Sequence, residues 1–143
     1  MGHVEGEGRQ ELGADVRLHG DVTIKAEVTV ARDDVAYMLI DALEGGSNYW
    51  YVIDLSKSKC IDGLCISEAP FHGGYLSIDD SNNDEQEASI KPVIVDEGRC
   101  IAGLQLMADR YPRHFADFIA GNGDADTADV FLQCVVLGEV VYG

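Results

Sequence analysis

Asp33-Asp34-Val35-Ala36-Tyr37-Met38-Leu39-Ile40-Asp41-Ala42-Leu43-Glu44-Gly45-Gly46-Ser47-Asn48-Tyr49-Trp50-Tyr51-Val52-Ile53-Asp54-Leu55 reads as a helix, a stop and a strand, and this succession decides the fold class. Val35, Met38, Leu39, Ala42 and Leu43 recur at helical spacing and form one apolar stripe. Asp33 and Asp34 stand in the first turn, where carboxylates complement the positive end of the helix dipole. Gly45-Gly46 supplies a C-terminal stop. Residues 49–55 are aromatic and β-branched, which predicts a strand.

Working outward from this stretch, Val22, Ile24, Ala26, Val28 and Val30 alternate with Thr23, Lys25, Glu27 and Thr29, a period of two that predicts a further strand. Residues 1–20 are rich in glycine and charge without a sustained period and read as a flexible N-terminal arm, leaving 21–143 as a single domain. Downstream, Asp62-Gly63 between Ile61 and Leu64 predicts a tight hairpin turn. Residues 70–74 read as a loop, and 75–78 and 90–95 as strands. The last third is helical. Cys100, Ile101, Leu104, Leu106 and Met107 mark a helix capped by Asp96, and Pro112 opens a second that ends near Gly121. Asp124 caps a final helix that is apolar almost all round, which places it centrally or at a subunit interface. The predicted class is α+β: an antiparallel sheet of about four to five strands packed with one helix from the N-terminal half and about three C-terminal helices.

The charge is extreme, with 26 acidic residues against 10 basic ones and a formal net charge of −16 over 143 residues. Self-repulsion on this scale opposes folding, and it disfavours direct nucleic-acid binding, which needs clustered Lys and Arg. A basic protein surface is the natural complement. Hydrophobic content of 46% is ordinary for a globular chain and argues against disorder throughout. No apolar run reaches the roughly 18 to 20 residues of a membrane span, and the N-terminal residues match neither a signal peptide nor a myristoylation pattern. The expectation is a soluble cytosolic protein without membrane association. Of four cysteines, Cys100 and Cys134 lie in apolar helical patterns and read as buried hydrophobes. Cys60 and Cys65 flank the Asp62-Gly63 turn and read as reduced thiols.

Candidate chemistry is sparse. Cys60 and Cys65 have an allowed spacing for half a zinc site, but His72 is the only other ligand nearby and four are needed. Asn122, Asp124 and Asp126 resemble the start of a calcium loop, yet Thr127 stands where such a loop needs Gly and Gln133 where it needs Glu. His72 beside Gly73-Gly74 has no nucleophile arranged with it, and no phosphate loop, zinc-protease or dinucleotide motif occurs. The expectation is a non-enzymatic protein with no cofactor, no metal and no catalytic residues. Asp79, Asp80, Asp84, Glu85 and Glu87 form an acidic run that, with Asp96 and Glu97, is the candidate partner-binding surface. Asp33, Asp34, Asp41 and Glu44 add to the same excess.

The junction Asp41-Ala42-Leu43-Glu44-Gly45-Gly46-Ser47-Asn48-Tyr49-Trp50, and the end of the chain from Asp124-Ala125-Asp126-Thr127-Ala128-Asp129 to Gly138-Glu139-Val140-Val141-Tyr142-Gly143, resemble a family of small bacteriophage and prophage proteins. The motif residues are Gly45, Gly46, Asn48, Tyr49 and Trp50. The resemblance implies a phage-encoded protein in the cytoplasm of a bacterial host and carries over no enzymatic activity. Gly45-Gly46 allows a left-handed exit from the helix and close approach of neighbours. By strand alternation, Trp50 or Tyr51 belongs in the core, with the other available to an interface. Combined with the charge, the expected function is anti-CRISPR-like inhibition: occupation of a basic nucleic-acid-binding surface on a host defence complex. The alternative is a phage accessory protein acting through homo-oligomerisation.

Overall fold

The computed structural model describes residues 18–81 and 92–143. Helix α1 (Arg32–Asp41) opens the folded part and continues into a wider π-helical turn, Ala42–Gly46. Strand β1 (Tyr51–Lys59) follows, then a 3-10 helix (Ile66–His72), β2 (Tyr75–Asp80) and β3 (Val93–Val95). Helices α2 (Glu97–Arg110), α3 (Pro112–Ile119) and α4 (Ala125–Val136) complete the chain. The class is α+β, with an antiparallel sheet in the order β1-β2-β3. Among the described residues no helix is long and apolar enough to cross a membrane.

Helix α4 is the axis of the fold. It is buried from Thr127 to Val136, and α1, α2, α3, the π turn and β3 all pack on it. Its apolar residues therefore meet neighbours on every side, and of the two locations the sequence allows, the central one is realised. On the core face of the sheet, Ile78 of β2 lies opposite Ile53 of β1, and Leu76 lies opposite Val95 of β3. The predicted caps hold. The Arg99 backbone N–H donates to Asp96 Oδ1 at 2.8 Å, and the Thr127 N–H donates to Asp124 Oδ1 at 3.1 Å. Pro112 opens α3, as its fixed φ and missing donor favour.

Four expectations are corrected. The sheet has three strands among the described residues rather than four to five. Residues 22–30, despite their alternation, run in extended form outside the sheet with their side chains exposed, and only Val30 packs on the core. The Asp62-Gly63 turn exists, closed by the Leu64 N–H donating to the Ile61 carbonyl at 3.1 Å, with Gly63 at φ +84. The chain beyond it forms the 3-10 helix instead of a second hairpin strand, and that helix replaces most of the loop expected at 70–74. Buried Ala69, Pro70 and Phe71 explain the change: anchoring them in the core requires a compact turn rather than an extended arm. Finally, neither Gly45 nor Gly46 has a positive φ, because the helix ends by widening into the π turn, in which the Ser47 N–H donates to the Ala42 carbonyl at 2.9 Å. Close approach does hold at Gly46, where a Cβ would lie 2.9 Å from the Ala125 carbonyl oxygen. The proposed arm at 1–20 lies outside the described residues except for 18–20, which are exposed.

Candidate functional site

The two motifs, about eighty positions apart in sequence, meet in one buried polar knot. Asp129 projects from α4 against the junction. Its Oδ1 accepts hydrogen bonds from the Ser47 hydroxyl and the Trp50 indole N–H, each at 2.7 Å. Its Oδ2 accepts from the Tyr49 hydroxyl at 2.5 Å and from the Gln133 amide at 3.1 Å. One turn along α4, Gln133 secures the C-terminal tail. Its Oε1 accepts the N–H groups of Val141 and Tyr142 at 2.7 and 2.9 Å, and its Nε2 donates to the Tyr142 carbonyl at 3.1 Å. The Tyr142 ring stacks on Trp50 with centroids 5.9 Å apart, and its hydroxyl donates to Asp80 Oδ2 at 2.6 Å.

A carboxylate offers about four acceptor positions, and Asp129 has four donors upon it. It has no lone pair left for a substrate proton, so the knot acts as scaffold rather than as a catalytic base. Burial first, then the bond to Asp129, pushes the Tyr49 hydroxyl up to about 12 from 10.0. Trp50 is the core aromatic, at 0% exposure. Tyr51 is half-buried, its hydroxyl donating to the Leu43 carbonyl, while Tyr49 and Asn48 stay at the surface.

The predicted partner-binding acids do not form one face. Asp79 and Asp80 end β2 half-buried, with Asp79 accepting the Asp80 N–H and Asp80 engaged by Tyr142. Asp84, Glu85 and Glu87 lie outside the described residues. Asp96 is committed to capping α2. Glu97 receives Arg32 through Nε at 2.7 Å and Nη2 at 2.5 Å, and these bonds hold its carboxyl below the usual range.

A different set of acids converges. Asp34 and Asp41, two helical turns apart on α1, face Asp124 across a cleft of about 300 Å³ between α1 and the α3–α4 connection. Tyr37, 61% exposed, and Ile119 give this cleft an apolar wall. An adjoining hollow adds Glu44 to Asp41 and Asp124 and is floored by Gly45, Gly46 and Gly123. No Lys, Arg or His lines either one. The Thr127 backbone N–H, bonded to the Asp124 carboxylate, lowers its pKa, so the rim stays charged. The one signal in the sequence is the spacing of Asp34, Tyr37 and Asp41, which places all three on one helical face. The arrival of Asp124 from the other end of the chain has no local trace. Among the described residues no group of three His, Cys, Asp or Glu side chains is placed to hold a metal ion.

His72 lies on the exposed end of the 3-10 helix, its Nδ1 2.9 Å from the Glu68 carbonyl. Cys65 caps the start of that helix, its backbone N–H donating to Glu68 Oε1 at 2.9 Å. Cys60 and Cys65 are exposed, whereas Cys100 and Cys134 are buried. Burial pushes the Cys100 thiol up to about 12 and the Cys134 thiol up to about 11. Because the thiolate is the reactive form, a thiol reagent at neutral pH should modify Cys60 and Cys65 in the folded protein and reach Cys100 and Cys134 only on denaturation. Rapid modification of all four under native conditions would contradict this packing. No protein-family model, curated protein or solved structure matches the chain.

Proposed function

We propose that this chain is an acidic, non-enzymatic, phage-encoded binding protein that inhibits a bacterial defence nucleoprotein complex, in the manner of an anti-CRISPR, by occupying a basic surface that otherwise holds nucleic acid. The observation that carries the reading is the cleft where Asp34, Asp41, Glu44 and Asp124 gather beside Tyr37 with no cation among its lining residues. Carboxylates spaced along a groove offer partner Lys and Arg the charge that phosphates would offer, and an exposed tyrosine adds a face for a guanidinium to stack upon. The net charge of −16 extends this attraction beyond contact distance and speeds encounter with a basic partner. The resemblance of the junction and the C-terminal end to phage proteins supports the setting, the cytoplasm of a bacterial host.

The test is capture from lysates of bacteria carrying defence systems, at low and high salt, with bound proteins identified by mass spectrometry. The expected result is salt-sensitive recovery of a nucleic-acid-binding complex that DNA or RNA competes away. Asp34→Lys combined with Asp41→Lys, both at exposed positions, should weaken this capture by about tenfold or more while leaving the thermal transition in place. Capture that ignores both salt and the double substitution would overturn the reading.

A further inference from the structure

Residues 22–30 carry the alternation of a β-strand, yet among the described residues neither their backbone nor their side chains make a hydrogen bond. Val22 and Ile24 are 87% and 81% exposed, far more than scattered surface apolars require, and they lie on the same face of the alternating segment. Strand β1 shows the complementary condition. It is nine residues long and pairs only with β2, so among the described residues its outer edge of N–H and carbonyl groups is open. Such an edge is a template for strand addition. Its length matches the unpaired segment.

Charge favours the same pairing. With Lys57 and Lys59 against Asp54, β1 is the one described element with net positive charge. The segment from 21 to 30 is net negative, Asp21 and Glu27 against Lys25. The chain's own β1 is badly placed to receive it. Ala26 and Val28 lie over α2 beside Ile101 and Leu104, and α2 packs against β3, at the opposite edge of the sheet from β1.

We propose that the 22–30 segment adds as a strand to the free β1 edge of a second copy, the exchange being reciprocal, so that each sheet gains a fourth strand and the two copies form a two-fold dimer. A reciprocal exchange satisfies both open edges at once and closes without leaving a site for a third copy.

The experiment is light scattering on size-separated full chain at several concentrations, with amide hydrogen exchange on the same samples. A dimer of twice the 15.5 kDa chain mass is expected, with protection in both 22–30 and β1. Lys25→Pro with Ala26→Pro removes one N–H from each side of the strand while retaining Val22, Ile24 and Val28. It should abolish the dimer and the protection together. Lys57→Glu with Lys59→Glu, at exposed positions of β1, should weaken dimerisation about tenfold without touching the arm. A chain that remains monomeric at all concentrations would overturn the proposal. So would a dimer that survives the two prolines, since association through apolar faces alone would tolerate them. Raising salt should strengthen this dimer by screening two like-charged chains, the opposite of its effect on capture of a basic partner.

Discussion

Replacing Asp129 by alanine should destabilise the protein by about 3–5 kcal/mol, because it strands four donors at once. The Ser47 hydroxyl, Tyr49 hydroxyl, Trp50 indole N–H and Gln133 amide all end on this carboxylate, which is 8% exposed. Water cannot replace it beside Trp50 and Ser47, which are wholly buried. For a chain of this length the loss corresponds to a fall in Tm on the order of 10–20 °C. Asp129→Asn keeps the volume and one acceptor oxygen but turns an amide N–H₂ toward donors, so it should fall between the wild type and alanine. A spectroscopic readout separates loss of the knot from general loosening. The Tyr49 hydroxyl, raised to about 12 by burial and then by Asp129, should titrate closer to 10.0 in folded Asp129→Ala. In the wild type, the group's raised folded value means that its stabilising contribution is complete below pH 10 and disappears as the pH rises toward 12. Chemical denaturation of both variants, with ultraviolet titration of tyrosine, measures these effects. A change below about 1 kcal/mol in Asp129→Ala would mean that the knot does not bind α4 to the junction.

Gly103→Ala should also destabilise, although helix propensity alone favours alanine over glycine by up to about 1 kcal/mol within a helix. Gly103 lies where α2 crosses α4, and a Cβ there would stand 2.3 Å from Val135 Cγ2 and 2.8 Å from Val135 Cα. The first of these atoms belongs to a branched side chain with little freedom in χ1, and the second is backbone. The two helices must therefore separate along the axis on which the rest of the fold packs. A net loss of about 1–3 kcal/mol is expected for alanine and more for valine. Val135→Ala in the same chain should recover part of the loss by removing Cγ2, while the clash with the Val135 backbone stays. Equilibrium unfolding of the single and double variants forms a double-mutant cycle. Additive effects, or a stabilised Gly103→Ala, would show that the crossing is looser than 2.3 Å implies.

Local physics was legible from the chain. The helical stripe from Val35 to Leu43, the Asp96 and Asp124 caps and Pro112 at the start of α3 each depend on residues within one or two turns, and each is realised. The burial of Cys100 and Cys134 and the centrality of α4 followed from apolar patterning alone. Alternation at 22–30 was legible as well, but it states only that a segment can form a strand. Pairing requires an edge in line with it, and within one chain the open edge of β1 lies across the sheet from α2. The turn at Asp62-Gly63 was read correctly and its continuation was not, since burial of Pro70 and Phe71 overrode the hairpin.

The functional readings divide in the same way. Sequence determined the electrostatic character, since a net charge of −16 is a sum that no folding can change. Folding distributed that charge, committing Asp96 and Glu97 to a cap and an ion pair while bringing Asp124 to Asp34 and Asp41. It also made Asp129 the common acceptor of a motif some eighty residues away. The sequence by itself determined helix propensity, caps, burial tendency and total charge, because these follow from a residue and its near neighbours. Only the tertiary structure decided which strands find an edge and which carboxylates share a cleft, because both depend on chain segments meeting across a core with no local signal of the encounter.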